Sequence, residues 1–106
     1  MVESFLKYLQ YEKRVSRHTL TAYENDLDQY TRFIDEVFPD YSLLTADYGV
    51  IRSWIIQLVE SGTKPTSVNR KIAGLRSFYK FLMRQELISK NPMTKLRMKK
   101  GYEMIN

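Results

Sequence analysis

The sequence predicts an all-α domain, a compact bundle of four helices. Three observations lead there. Apolar residues recur at three- and four-residue steps in four separate stretches. Short breakers rich in Ser, Thr, Asn, Gly and Pro divide those stretches. Strand-type alternation is nearly absent. At 106 residues and 43% hydrophobic composition, the chain has the size of one domain with a small core.

The first helix is expected over about residues 2–14, where Val2, Phe5, Leu6 and Leu9 make one apolar stripe. The second is expected over 16–38, with Ser16 as N-cap and Pro39-Asp40 as its stop. Its apolar positions Leu20, Tyr23, Leu27, Tyr30, Ile34 and Val37 form the seam of a helix packed lengthwise on others. The third is expected over 46–60, with Thr45 as N-cap and Gly62 ending it in the left-handed conformation. The fourth is expected over 66–86, with Val68, Ile72, Leu75, Tyr79 and Leu82 within about 80° of one another. A turn at 89–92 closes the domain, expected at 1–92. The basic tail 93–106 reads as a linker with room for a short fifth helix.

The formal net charge is +5, and its distribution is uneven. Residues 1–23 carry +2, residues 24–60 carry −6, and residues 61–106 carry +9. A basic last third beside an acidic middle points to a polyanion on one side only, with nucleic acid the leading candidate. No run approaches the ~18 apolar residues of a membrane span, and the first residues lack a basic-then-apolar leader. With no cysteine there is neither a disulfide framework nor a thiolate metal site. The expected setting is the cytoplasm.

Two surfaces suit DNA. Opposite its apolar stripe, the fourth helix carries Thr66, Arg70, Ala73, Ser77, Lys80 and Arg84. Ser67, Lys71 and Gly74 lie along one edge, and Asn69 and Arg76 along the other. Small side chains let the backbone approach, cations neutralise phosphates, and Arg or Asn can read base edges. Gly74 inside a helix costs about 1 kcal/mol against Ala; close approach to DNA and close helix packing explain that cost equally well. The second surface is the start of the second helix, where Lys13, Arg14, Arg17, His18 and Thr19 surround Ser16 and the acids begin only at Glu24. A helix N-terminus presents free N–H groups and partial positive charge to a phosphate.

Catalytic chemistry is missing. One histidine and no cysteine exclude a zinc site of the usual ligands. A Ser-His-Asp triad would need His18, which has no partner nearby in the sequence. No glycine-rich phosphate loop is present. Glu24, Asp26, Asp28, Asp35 and Glu36 do not follow a calcium-loop spacing and read as a solvated face. Tyr8, Tyr23, Tyr30 and Tyr79 read as core or core rim, and nothing near Tyr102 would activate it as a nucleophile. No cofactor and no metal are expected.

Two segments carry a family likeness. One is Phe5-Leu6-Lys7-Tyr8-Leu9 followed by Ser16-Arg17-His18-Thr19-Leu20, then Tyr23, Asp26 and Leu27. The other runs from Thr66-Ser67-Val68-Asn69-Arg70-Lys71 through Gly74, Arg76 and Phe78-Tyr79 to Leu87-Ile88 and Asn91-Pro92. In that order they resemble the N-terminal core-binding domain of Xer-type and phage-integrase-type tyrosine recombinases. The resemblance implies a SAM-like helical bundle that clamps one face of the recombination half-site through the major groove. It also implies a separate catalytic domain that cuts and rejoins DNA through a tyrosine–phosphate link, in a tetramer on paired sites. The isolated domain would be a monomer. Carried onto this chain, Arg17, His18, Thr19 and Tyr23 match one contact segment, and Thr66, Ser67, Arg70 and Lys71 the other. Face and charge add Asn69, Ser77 and Lys80. The family's usual proline before the linker's basic residues is absent at Arg97-Met98-Lys99-Lys100. The competing readings are a protein-interaction bundle that uses its acidic middle, and a helix-turn-helix regulator, whose turns fit poorly.

Overall fold

A computed structural model describes residues 1–96, and four helices make up the fold among those described residues. They are α1 (Val2–Tyr11), α2 (Arg17–Val37), α3 (Tyr48–Glu60) and α4 (Pro65–Arg84). The all-α expectation holds for the described residues. The apolar stripe of α4 is buried as its spacing predicts, but so are Lys71, Gly74, Phe78 and Phe81. α4 is the central helix, covered on more than one side, so its buried arc is wider than one stripe.

α1 lays Phe5 between Phe78 and Phe81 of α4, with ring centroids 5.3 and 5.6 Å away. Such edge-on and tilted pairs add to the burial of large apolar surface. α2 places Leu27, Tyr30, Phe33 and Ile34 in the core. Val37, expected on the seam, is exposed, while Phe33 stacks on Phe38 at 5.8 Å and closes that end. α3 contributes Trp54, whose ring lies 5.0 Å from Tyr30. The Tyr79 hydroxyl donates to the Leu43 carbonyl at 2.9 Å and is 3.0 Å from the Tyr30 oxygen. Each hydroxyl has one hydrogen, so Tyr30 donates to Tyr79. This buried relay ties the α2–α3 loop to the core.

Helix ends follow local chemistry, with three corrections. α1 stops at Tyr11, short of 14, and Arg14 turns the chain at φ 52. α3 begins later than expected: Asp47 is its N-cap, its carboxylate accepting from the Val50 N–H at 3.1 Å. Thr45 instead accepts from the Ser42 N–H at 2.8 Å and closes a separate turn. α4 starts with Pro65 in its first turn, where the missing N–H is harmless. Gly62 ends α3 at φ 86, with Thr63 N–H bonding Leu58 C=O as a Schellman turn requires. The same turn ends α4 with Glu86 at φ 59, a position that favours glycine.

Beyond α4, Met93 and Leu96 are buried against the core. The Arg76 guanidinium donates to the Leu96 carbonyl at 2.7 Å. Residues 93–96 therefore join the packed body. The rest of the expected linker, 97–106, and the short fifth helix allowed there lie outside the described residues.

Candidate nucleic-acid interface

At the start of α2, Ser16 adopts extended backbone and accepts the Thr19 N–H at 3.2 Å. Its hydroxyl donates to the Thr19 hydroxyl at 3.0 Å. The first helical bond runs from Leu20 N–H to Ser16 C=O, so the N–H groups of Arg17 and His18 have no partner among the described residues. No acid lies in this first turn. Arg17 and His18 are exposed, and Thr19 is half-buried. The tip thus keeps free donors and positive charge, which is what an anion needs.

The residues on either side of this tip, Val15 and Tyr23, share a cleft with the outer flank of α4. A cleft of about 450 Å³ runs between α1, α2 and α4; Lys13, Tyr23, Ser77, Lys80 and Arg84 are among its walls, and no acid lines it. Thr66, Arg70, Lys80 and Arg84 are exposed, and Ser67, Ala73 and Ser77 are half-buried. Arg84 is held in place: its Nη1 donates to the Tyr8 hydroxyl at 2.9 Å, and its guanidinium lies 5.8 Å from the ring centre.

The two explanations left open for Gly74 separate here. A Cβ on Gly74 would stand 3.3 Å from Cδ1 of Tyr23. The missing side chain makes room for a tyrosine ring from α2. Tyr23 is half-buried on that glycine, consistent with its place on the seam.

Two expected contact residues point inward, and both are corrected. Lys71 is buried, with Nζ 2.7 Å from Asp26 Oδ1 and 2.7 Å from Gln29 Oε1. Its ammonium is committed to Asp26 and Gln29 of α2. Asn69 is half-buried, and its Oδ1 is enclosed with no partner among the described residues; it does not present a carboxamide pair to a base. Asp26, expected on a solvated acidic face, is buried at 4% exposure. It accepts two hydrogen bonds from Arg70, from Nε to Oδ2 and from Nη2 to Oδ1, each 2.9 Å. This pairing raises the Arg70 pKa further above its already high value. The signal for Asp26 was present: it lies three residues after Tyr23 and four before Tyr30, on the seam itself. The other acids of α2 fit the expected solvated face, with Asp28 bonded to Arg32 at 2.9 Å in the open. Among the described residues no cluster of His, Asp and Glu is arranged to hold a metal. No described helix is long and apolar enough to cross a membrane.

Comparison with known proteins gives the family. Residues 2–86 match the model of the phage integrase, N-terminal SAM-like domain. The chain is 43% identical over 91 residues to tyrosine recombinase XerC of Listeria innocua, covering 85% of this chain and 30% of that protein. It is 33% identical over 100 residues to tyrosine recombinase XerC of Pediococcus pentosaceus, covering 94% and 33%. With tyrosine recombinase XerC of Staphylococcus carnosus it shares 39% identity over 94 residues, covering 89% and 31%. The chain therefore spans about a third of the length of these relatives. No solved structure matches.

Proposed function

This chain belongs to the phage integrase N-terminal SAM-like domain family, and from that premise we propose that it is the DNA-gripping domain of a tyrosine site-specific recombinase. The partner is double-stranded DNA, held through the major groove of a recombination half-site. α4 lies along the groove with its outer flank inward, and the α2 tip takes a backbone phosphate beside it. Arg17, His18 and Thr19 serve from α2. Thr66, Ser67, Arg70, Ser77 and Lys80 serve from α4, with Tyr23 at the cleft between them. Strand cutting and rejoining through a tyrosine–phosphate link is assigned to a catalytic domain elsewhere in the parent protein, acting as a cytoplasmic tetramer on paired sites. The isolated domain is a monomer and needs no cofactor.

One observation carries this reading: the segment leading into the capped, acid-free tip of α2, with Lys13 and Val15, lines one cleft with Lys80 and Arg84 of α4. Of five exposed cations, Lys13, Lys80 and Arg84 line the cleft, and Arg17 and Arg70 are carried by α2 and α4, which flank it. If most of them meet phosphates, log affinity falls against log salt with a slope of about −4. A four-fold rise in salt then weakens binding by roughly two hundred-fold. Duplex binding by the 106-residue chain, titrated from low salt, measures this. Absence of duplex binding at low salt, or a slope near zero, overturns the reading.

A further inference from the structure

The Asp26–Arg70–Lys71 cluster does more than join α2 to α4. We propose that Asp26 is a positioning residue that aims Arg70 at a base edge, making Arg70 a determinant of sequence preference rather than a phosphate anchor. This rests on the DNA-gripping function proposed above.

The chemistry of the guanidinium supplies the reason. It has five N–H donors in a rigid plane. Asp26 takes the side edge, through Nε and Nη2 at 2.9 Å each. Three N–H groups remain, one on Nη2 and two on Nη1, and one from each nitrogen makes up the end edge; Nη1 has no partner among the described residues. Two of these N–H groups are parallel, the spacing that guanine O6 and N7 accept in the major groove. Arg70 is 43% exposed at its side chain, whereas Asp26 is 6% exposed. The anchor is therefore interior and the free edge belongs to a residue at the surface.

The support is itself fixed. Asp26 Oδ1 also accepts from Lys71 Nζ, which is held in turn by Gln29. An arginine restrained in this way loses less side-chain freedom on binding. A phosphate anchor has the opposite requirement. A carboxylate in contact with the guanidinium offsets its attraction for an anion, and an unencumbered lysine such as Lys80 does that work better. Along the same flank, within two turns of Arg70, Thr66, Ala73 and Ser77 are small, which leaves room for α4 to sit deep enough for Arg70 to reach a base.

The test compares charge with shape. Duplexes enriched by the parent chain from a randomised pool give a preferred sequence, and the readout is the ratio of its affinity to that of a scrambled duplex. Arg70→Lys keeps the charge and removes the fork. The double variant Asp26→Asn with Lys71→Met keeps the net charge of the cluster and releases the fork. Both keep the net charge, so any loss on scrambled duplex is expected to be smaller than the loss on the preferred sequence, and the affinity ratio is what decides. Both are expected to lose roughly ten-fold or more of the preference, the scale of one bidentate base contact. An Arg70→Lys variant as selective as the parent overturns base reading by Arg70. A selective double variant beside an unselective Arg70→Lys overturns the role of Asp26. If the double variant does not fold, the Arg70→Lys result decides. A parent chain that binds duplex at low salt but enriches no sequence also overturns the inference while leaving the DNA-gripping function standing; a parent that binds no duplex removes both.

Discussion

Lys71 and Lys80 are two lysines of one helix with opposite roles, and replacing each by methionine separates them. Lys71 Nζ makes two charge-assisted hydrogen bonds of 2.7 Å, and its side chain is 11% exposed. Each such bond contributes about 1.5–3 kcal/mol. Loss of Lys71 does not abandon Asp26, because both bonds from Arg70 remain, and methionine recovers the packing of the stem. The net cost of Lys71→Met is therefore about 2–3 kcal/mol, below the ~3–5 kcal/mol of an orphaned buried charge. For a domain of this size that lowers the melting temperature by roughly 10–20 °C. The duplex salt slope should change little, since the ammonium faces α2. Lys80 is exposed in the cleft, so Lys80→Met should leave stability within about 0.5 kcal/mol and reduce the salt slope by about 0.9. Urea denaturation and duplex titration of both variants read the four numbers. A stable Lys71→Met with a reduced slope would refute the reasoning, for it would mean that the Lys71 ammonium faces the duplex.

Three further outcomes follow from the core. Tyr79→Phe leaves the Leu43 carbonyl and the Tyr30 hydroxyl short of a partner and should cost about 2–4 kcal/mol in urea denaturation; a loss under about 0.5 kcal/mol would mean that water replaces the hydroxyl. Glu86→Gly relieves a left-handed residue in the Schellman turn and should stabilise by about 0.5–1 kcal/mol, seen as a higher melting temperature. Burial pushes the Tyr79 hydroxyl up to about 12 and the Tyr30 hydroxyl upward as well. A raised folded pKa favours the native state below the unfolded value of about 10 and ceases to do so as pH climbs through the folded value. Helicity should therefore fall between about pH 10 and 12 together with ionisation of two late tyrosines; early ionisation of every tyrosine with helices intact would contradict the buried relay.

Local patterns were legible because their physics is local. Val68, Ile72, Leu75, Tyr79 and Leu82 are buried as a repeat of about 3.6 residues requires. Ser16 and Gly62 declare helix ends through side-chain and backbone chemistry within a few residues. Thr45 and Asp47 are both competent caps, and the choice between them depends on the Ser42 turn. Charge alone places Lys71 outward in water; Asp26, 45 positions away in sequence, reverses that. Asn69 was misplaced for a related reason, since the breadth of the covered arc of α4 depends on how many helices surround it. Charge alone does not say which faces of α2 and α4 meet; Tyr23 on Gly74, Tyr30 on Tyr79 and Asp26 with Arg70 and Lys71 set that, and each pairs residues more than forty positions apart.

Backbone amide chemical shifts of the chain, followed as duplex is added at low salt, locate the contact surface residue by residue. The expected changes gather at residues 16–20 and at Thr66, Arg70, Ala73, Ser77 and Lys80. Changes centred instead on α3, or on Asp35 and Glu36 at the acidic end of α2, with the tip and flank unmoved, would contradict it.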